Sequence, residues 1–462
     1  MHFTLLALCL VQGSSAISNK LAPTFAENVY ARLWRTATTG PPTLGDTQGW
    51  PHYTQGAYNN TPQEDVEPGT YVNTPAAGWT SGFFADSLWQ AYHQRASLTS
   101  RDAFENEPSL EEWESMAEAW TEPLTTNINL TNTHDLGFLA KPFESAMRIQ
   151  GNDHYLPVLQ NMSLNLAARY EPGAGIIRSW DCANSSTGSW CSHSDSVLVI
   201  IDNMMNLALL ARSASTYTGN STLLDIAISH ADKTMKHHMR EDGSTYHVCD
   251  YSATTGGVYF CRTAQGLADD STWARGQAWG IYGFAEFYSL TGNKAYLETS
   301  KKMADWFIEH LPEDGLPFWD FDAPYTPGVT PRDSSAATIA ASGLILLEEQ
   351  INKTGRKGRR RGHERYNYQT AARRLLASSV ELALAGEITF AENAELGAAT
   401  YIDTAARTDC SKGFESILMH ATSNNNPAEA RKNFDNGLSY GDFYLIEAAN
   451  RLLECSDSYW GL

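Results

Sequence analysis

Three stretches of the chain repeat one pattern, and that pattern leaves few folds open. They read IQGNDHYLPVLQNMSLNLAARY, YTGNSTLLDIAISHADKTMKHHM and LTGNKAYLETSKKMADWFIEHL. Each carries a Gly-Asn pair followed by apolar residues at helical spacing, beginning with Leu156/Leu159, Leu223/Leu224/Ile226 and Tyr296/Leu297. The glycines, Gly151, Gly219 and Gly292, lie 68 and 73 residues apart. Glycine is the usual stop at a helix C-terminus, so each pair closes one helix and introduces the next. Helix pairs at this period imply an all-α array, and six of them, filling about 430 residues, can close into a ring. The 462-residue chain has the length for such a ring, although length alone also allows roughly two to four ordinary domains.

Upstream of each glycine stands a polar residue at a matching place. Asp135 precedes Gly151 by 16 positions, Asp202 precedes Gly219 by 17, and Arg275 precedes Gly292 by 17. At 1.5 Å rise per residue each sits roughly 24 Å from its helix C-terminus, near the N-terminal end. Helices packed side by side bring the three to one mouth of the array. Capping accounts for many acidic first turns, but not for an Arg there, nor for Asp202 inside the apolar run VLVIIDNMMNLALLA. A carboxylate in that setting is costly unless paired, and burial drives its pKa upward.

The first 16 residues, MHFTLLALCLVQGSSA, read as a secretory signal: an apolar stretch followed by small residues. Residues 17–462 then form the mature, extracellular domain. No later apolar run has the roughly 20 residues of a membrane span. Six cysteines remain after the signal, and two close-set pairs predict bridges Cys182–Cys191 and Cys249–Cys261. Cys410 and Cys455 pair by subtraction. Sequons at Asn59, Asn129, Asn161, Asn184, Asn220 and Asn352 are glycan acceptors on a eukaryotic secretory route. A formal net charge of −20 excludes a large basic face and hence a nucleic-acid or heparin-type binder. The one basic run, KTGRKGRRRGHER (353–365), reads as a solvated loop between helices, with a protease-nicked site or a polyanion-binding patch as the alternatives. His230, His237 and His238 match no metal-ligand spacing and read as a helix face. No metal or other cofactor is called for, and the chain is expected as a monomer or weak homo-oligomer.

Four segments are dense in aromatic and polar residues: GWTSGFFADSLWQAYHQ, THDLGFLAKPFESAMRI, STWARGQAWGIYGFAEFY and GLSYGDFYLIEAANRLL. Rings that stack on pyranose faces, with carboxylates, an amide and an Arg converging on them, describe a sugar site. Through WTSGFF, HDLGF, IIDNMMNL, GSTYHVCDY, STWARGQAWGIYGF, FWDFDAP, RDSSAATIAASGLILLE and YGDFYLIEA, the chain resembles glycoside hydrolase family 88, the unsaturated glucuronyl hydrolases, over about residues 75 to 455. The resemblance implies an (α/α)6 barrel, the ring reached above from the repeat.

It also implies an activity on lyase-generated oligosaccharides that end in a 4,5-unsaturated uronic acid. Such enzymes hydrate the C4=C5 enol ether rather than attack the anomeric carbon. The family's catalytic aspartates match Asp135 and Asp202, with Asp202 expected as general acid and Asp135 as its partner. By the same resemblance Trp79, His134, Trp180, His247, Gln265, Arg275 and Trp279 are substrate contacts. Arg275 is the natural fork for a substrate carboxylate, against the alternative of an ion pair with a neighbouring Asp. Phe84 stands where family members often place Trp; segment 416–437 lies where the family's aglycone-binding loop falls but has no residue match to it, and the insertion 181–191 is expected to rim the cleft. The rivals are a rhamnogalacturonyl-type enzyme, an ordinary inverting glycosidase, and a carbohydrate-binding protein without activity.

Overall fold

The computed structural model describes residues 20–43, 49–56, 69–97, 104–182, 184–185, 188–189, 191–355, 365–390, 399–401, 414–429 and 432–456. The signal segment, Asn59, Cys410 and most of the basic run lie outside these, so the Cys410–Cys455 pairing does too.

Twelve α-helices are present among the described residues. They are α1 (Glu27–Ala37), α2 (Ser81–Ser97), α3 (Leu110–Thr121), α4 (Leu136–Gln150), α5 (Leu156–Ala167), α6 (Leu207–Arg212), α7 (Ser221–His237), α8 (Ala274–Thr291), α9 (Lys294–Glu309), α10 (Ser334–Gly355), α11 (Tyr368–Ala383) and α12 (Ser439–Ser456). The even-numbered helices pack in order around an inner ring, and α12 returns to α2 to close it. The odd-numbered helices lie outside. The result is the six-hairpin α/α toroid expected from the repeat.

The composition of each helix follows from its layer. An inner helix is surrounded by protein and needs no polar face. In α8 every residue from Ala274 to Tyr288 is buried. Outer helices bury one stripe: α5 covers Val158, Leu159, Met162 and Leu166 while Asn161 and Leu164 face solvent.

The Gly-Asn pair works as two devices. Gly151, Gly219 and Gly292 take φ of 65°, 69° and 69°, the left-handed conformation; Gly151 and Gly292 cap α4 and α8 directly, and Gly219 follows the π-helical turn Ser213–Tyr217 that extends α6. Asn220 and Asn293 then cap the outer helices, accepting from the Thr222 and Ala295 N–H groups at 3.1 Å. Asn152 instead accepts from the His154 N–H at 3.0 Å, and α5 starts two residues later. Where the ring closes, Asn450 donates to the Gln90 carbonyl and side chain at 3.1 and 3.0 Å. Gln94 donates to Asn450 at 2.6 Å, so every inward amide of this seam has a partner.

Short antiparallel sheets decorate the ring: β1 (Trp50–Thr54) with β2 (Tyr71–Thr74), β3 (Tyr170–Glu171) with β4 (Ile176–Ile177), and β5 (Asn184–Ser185) with β6 (Gly188–Ser189). A three-stranded sheet follows, β7 (Ser196–Ile200), β8 (Val248–Ser252) and β9 (Val258–Arg262), then β10 (Ile388–Phe390) with β11 (Ala399–Tyr401) and β12 (Ala421–Asn424) with β13 (Asn433–Asn436). The apolar run around Asp202 is therefore split: β7, a 3-10 turn over Ile201–Met205, then α6. Both close-set disulfides form, Cys182–Cys191 around the β5–β6 hairpin and Cys249–Cys261 across β8 and β9. No helix among the described residues is long and apolar enough to cross a membrane.

Candidate active site

The N-terminal ends of all six inner helices meet at one mouth of the ring, and each brings a side chain there. Trp79 precedes α2, Asp135 is the N-cap of α4, and Asp202 lies in the turn before α6. Arg275 sits in the first turn of α8, Asp333 precedes α10, and Tyr440 is in the first turn of α12. The repeat pointed to three of these.

Asp135 and Asp202 are held together by Asn206. Its side chain accepts from the Phe138 N–H at 3.1 Å, in the first turn of α4, and donates to the Asp202 carbonyl at 3.4 Å. Gly137 makes the approach possible, because a Cβ there would lie 2.5 Å from the Asn206 Cα. Gly283 does the same on the other side, where a Cβ would fall 2.6 Å from that of Met204. The glycines of HDLGF and GIYGF thus let the turn carrying Asp202 wedge between α4 and α8.

Asp202 Oδ1 is enclosed and has no hydrogen-bond partner among the described residues, although the residue as a whole keeps some contact with solvent. Burial pushes its carboxyl up to about 7; Arg275 opposes the rise and the Asp135 charge adds to it. Asp135 is more open and is oriented by Thr133, whose hydroxyl donates to Oδ2 at 2.6 Å. His134 lies behind it, buried, with Nε2 3.4 Å from Asp135 Oδ1. Burial lowers the His134 pKa.

Arg275 is fully enclosed. It donates to the carbonyls of Thr422 and Ser423 at 2.6 and 2.9 Å, and lies 3.7 Å from Asp333 Oδ2. The fork assigned from sequence to a substrate carboxylate is thus taken up by the β12 strand, and the weighed ion pair is formed with Asp333. Trp273 and Tyr440 flank the guanidinium, their ring centres 4.4 and 5.2 Å away.

His247, just before β8, accepts at Nδ1 from the Ala264 and Gln265 N–H groups at 3.1 and 3.4 Å. Its proton therefore sits on Nε2, which has no partner among the described residues. Burial, with Arg275 nearby, holds this imidazole neutral. Gln265 donates to the Ser423 carbonyl at 3.0 Å. Trp180, half-buried, pairs with Leu198 and stands 6.4 Å edge-on to His247. Trp279 is fully buried one turn along α8 from Arg275, packed against Phe138 and Tyr444 beneath the mouth. Trp79, half-buried, leans on Tyr440 at 4.9 Å.

Elsewhere the structure explains the departures. Phe84 points away from the mouth and packs edge-on to Trp120 at 4.7 Å between α2 and α3. Segment 416–437 contributes the β12–β13 hairpin, whose carbonyls hold Arg275. His230 is a core residue that accepts from the Ile177 N–H at 3.0 Å. Asp333, Tyr440 and His52 belong to the mouth and were not singled out in sequence, although RDSSAATIAASGLILLE and YGDFYLIEA carried the first two.

A ring of helix pairs with two carboxyl groups and clustered aromatic rings at its inner N-terminal mouth is a six-hairpin glycoside hydrolase. No family model matches the chain. It is 35% identical over 305 residues to the unsaturated glucuronyl hydrolase of Formosa agariphila, covering 65% of this chain and 70% of that one. The unsaturated glucuronyl hydrolase of Bacillus sp. (strain GL1) is 34% identical over 285 residues, 62% and 71% of the two chains. Among solved structures, an unsaturated glucuronyl hydrolase specific for heparin superposes with a TM-score of 0.72 at 29% identity, over 95% of this chain and 98% of that one. This chain belongs to the unsaturated glucuronyl hydrolase family.

Proposed function

We propose that the protein removes the 4,5-unsaturated uronic acid from the non-reducing end of lyase-generated oligosaccharides, by hydrating the C4=C5 enol ether. One observation carries the reading. A carboxyl group is kept near a neutral pKa by burial, beside a second carboxylate, at the aromatic mouth of the ring. Protonation of carbon requires an acid that still holds its proton at working pH.

In this scheme Asp202 gives its proton to C4, and positive charge develops at C5 and the ring oxygen. The resulting Asp202 carboxylate takes a proton from the water that adds at C5, which restores the acid. The C5 hemiketal then opens to a ketone, leaving the ring oxygen as a hydroxyl on C1. That hemiacetal collapses to an aldehyde and releases the aglycone. One water is consumed and no electrons change hands. Asp135 holds Asp202 protonated through its charge and orients the sugar. Arg275, locked by the protein's own carbonyls, supplies a fixed positive potential rather than a movable clamp. His247 offers its Nε2–H to a sugar oxygen, and Trp79 and Trp180 present rings to the pyranose faces.

Asp202→Asn is expected to abolish the loss of enol absorbance while an unsaturated disaccharide still binds. Near-normal turnover would remove the assignment. In heavy water the product is expected to carry deuterium at C4, which attack at the anomeric carbon does not give. Export is part of the proposal, supported by the two disulfides and by the exposure of Asn129, Asn161 and Asn220.

A further inference from the structure

The β1–β2 hairpin precedes every motif that marks the family, yet it lies at the mouth. Thr54 donates its N–H to the Gly437 carbonyl at 2.9 Å, and the Gly437 N–H returns to Thr54 Oγ1 at 2.7 Å. Gly437 leads directly into α12 and Tyr440. Along the hairpin Trp50 pairs with Thr74 and Pro51 with Asn73, but the next pair is Tyr53 with Val72. His52 is the extra residue of a β-bulge, a device that re-aims a side chain.

The His52 ring stands edge-on to Trp79 at 6.4 Å and to Tyr53 at 4.9 Å. Trp79 touches Tyr440, and Tyr440 flanks Arg275. His52 is half-buried and has no hydrogen-bond partner among the described residues. Both of its ring nitrogens keep contact with solvent, so a ligand seated at the mouth can reach them. Burial and the Arg275 charge bring it down to about 4, so near neutral pH one nitrogen donates and the other accepts.

We propose that His52 is a substrate-contacting residue: its imidazole hydrogen-bonds a hydroxyl or carboxylate oxygen of the unsaturated uronic acid seated against Trp79. The inference rests on the proposed function and adds a contact from outside the family motifs.

Steady-state rates on an unsaturated disaccharide test it with three proteins: wild type, His52→Leu and His52→Gln. Leu refills the space against Trp79 without polar atoms, whereas Gln retains a donor and an acceptor. The expected result is a KM raised about tenfold in the Leu variant, the size of one hydrogen bond. Its kcat should stay within about threefold, the Gln variant should recover most of the KM, and all three should melt together. A Leu variant with wild-type KM overturns the proposal. So does a loss confined to kcat, or an equal KM rise in both variants with a lowered melting temperature. A wild-type protein that leaves unsaturated disaccharides untouched defeats the proposed function instead.

Discussion

At the scale of single residues, the most consequential feature is a charge that the fold resists. The Asp202 carboxyl ionises at about 7 in the folded chain against 3.8 when free. Between those values the folded state holds a proton that the unfolded state releases. The stabilisation is therefore complete below about pH 4 and is lost as pH rises through 7. Three pH units correspond to about 4 kcal/mol, which partial solvent contact reduces to about 2 kcal/mol. Asp202→Asn, neutral at every pH, should melt higher than wild type at pH 8 and at the same temperature near pH 4. Melting followed by circular dichroism checks this, and an unchanged gap between pH 4 and 8 would count against a buried ionisation. The same carboxyl sets the activity limb: kcat should fall as pH rises beyond about 7. Asp202 was legible because its neighbours in sequence are also its neighbours in space. Arg275 was legible as a position and as half of an ion pair, but not for its backbone contacts. Its partners, Thr422 and Ser423, lie 147 and 148 residues further along and act through backbone atoms that any residue carries.

Among the elements, identical-looking glycines do different work. Gly151 ends α4 at a positive φ with open space where a Cβ would be, so its constraint is conformational alone. Gly137, at the other end of the same helix, is constrained by the Asn206 backbone. Gly151→Ala should cost about 1 kcal/mol of stability and leave kcat as it is. Gly137→Ala should cost about 2 kcal/mol and lower kcat by at least tenfold, since α4 must shift away from the turn that carries Asp202. Urea unfolding and rates on one unsaturated disaccharide separate the two effects; equal behaviour of the two variants would contradict the packing described for the mouth. The helix-ending glycines could be read from the chain because a left-handed cap leaves a local signature, here the Gly-Asn pair. A glycine that admits a neighbouring element leaves none. The β1–β2 hairpin escaped for a similar reason: its bulge is defined by a register between strands, and neither strand alone reports it.

For the whole molecule, two fields oppose each other. The chain carries a net charge of −20, which repels an acidic substrate at long range. The mouth gathers the N-terminal ends of six inner helices and the enclosed Arg275, which set a positive short-range potential against the carboxyl groups of Asp135 and Asp333. An unsaturated disaccharide brings few charges, so it meets the repulsion briefly and the attraction fully. A long polyanion leaves most of its charges outside the mouth, against the acidic exterior. Salt screens the outer field over about 8 Å at physiological strength, yet barely reaches a buried guanidinium. Short lyase products should therefore be preferred at low ionic strength, with the preference carried by KM rather than kcat. Added salt should raise kcat/KM for long unsaturated chains and leave the disaccharide nearly unchanged, so the two values draw together. Rates on sized digests at about 10 mM and about 300 mM salt measure this directly, the Debye length falling from about 30 Å to under 8 Å. Equal rates for long and short chains at low salt would mean that the acidic exterior does not take part in choosing the substrate.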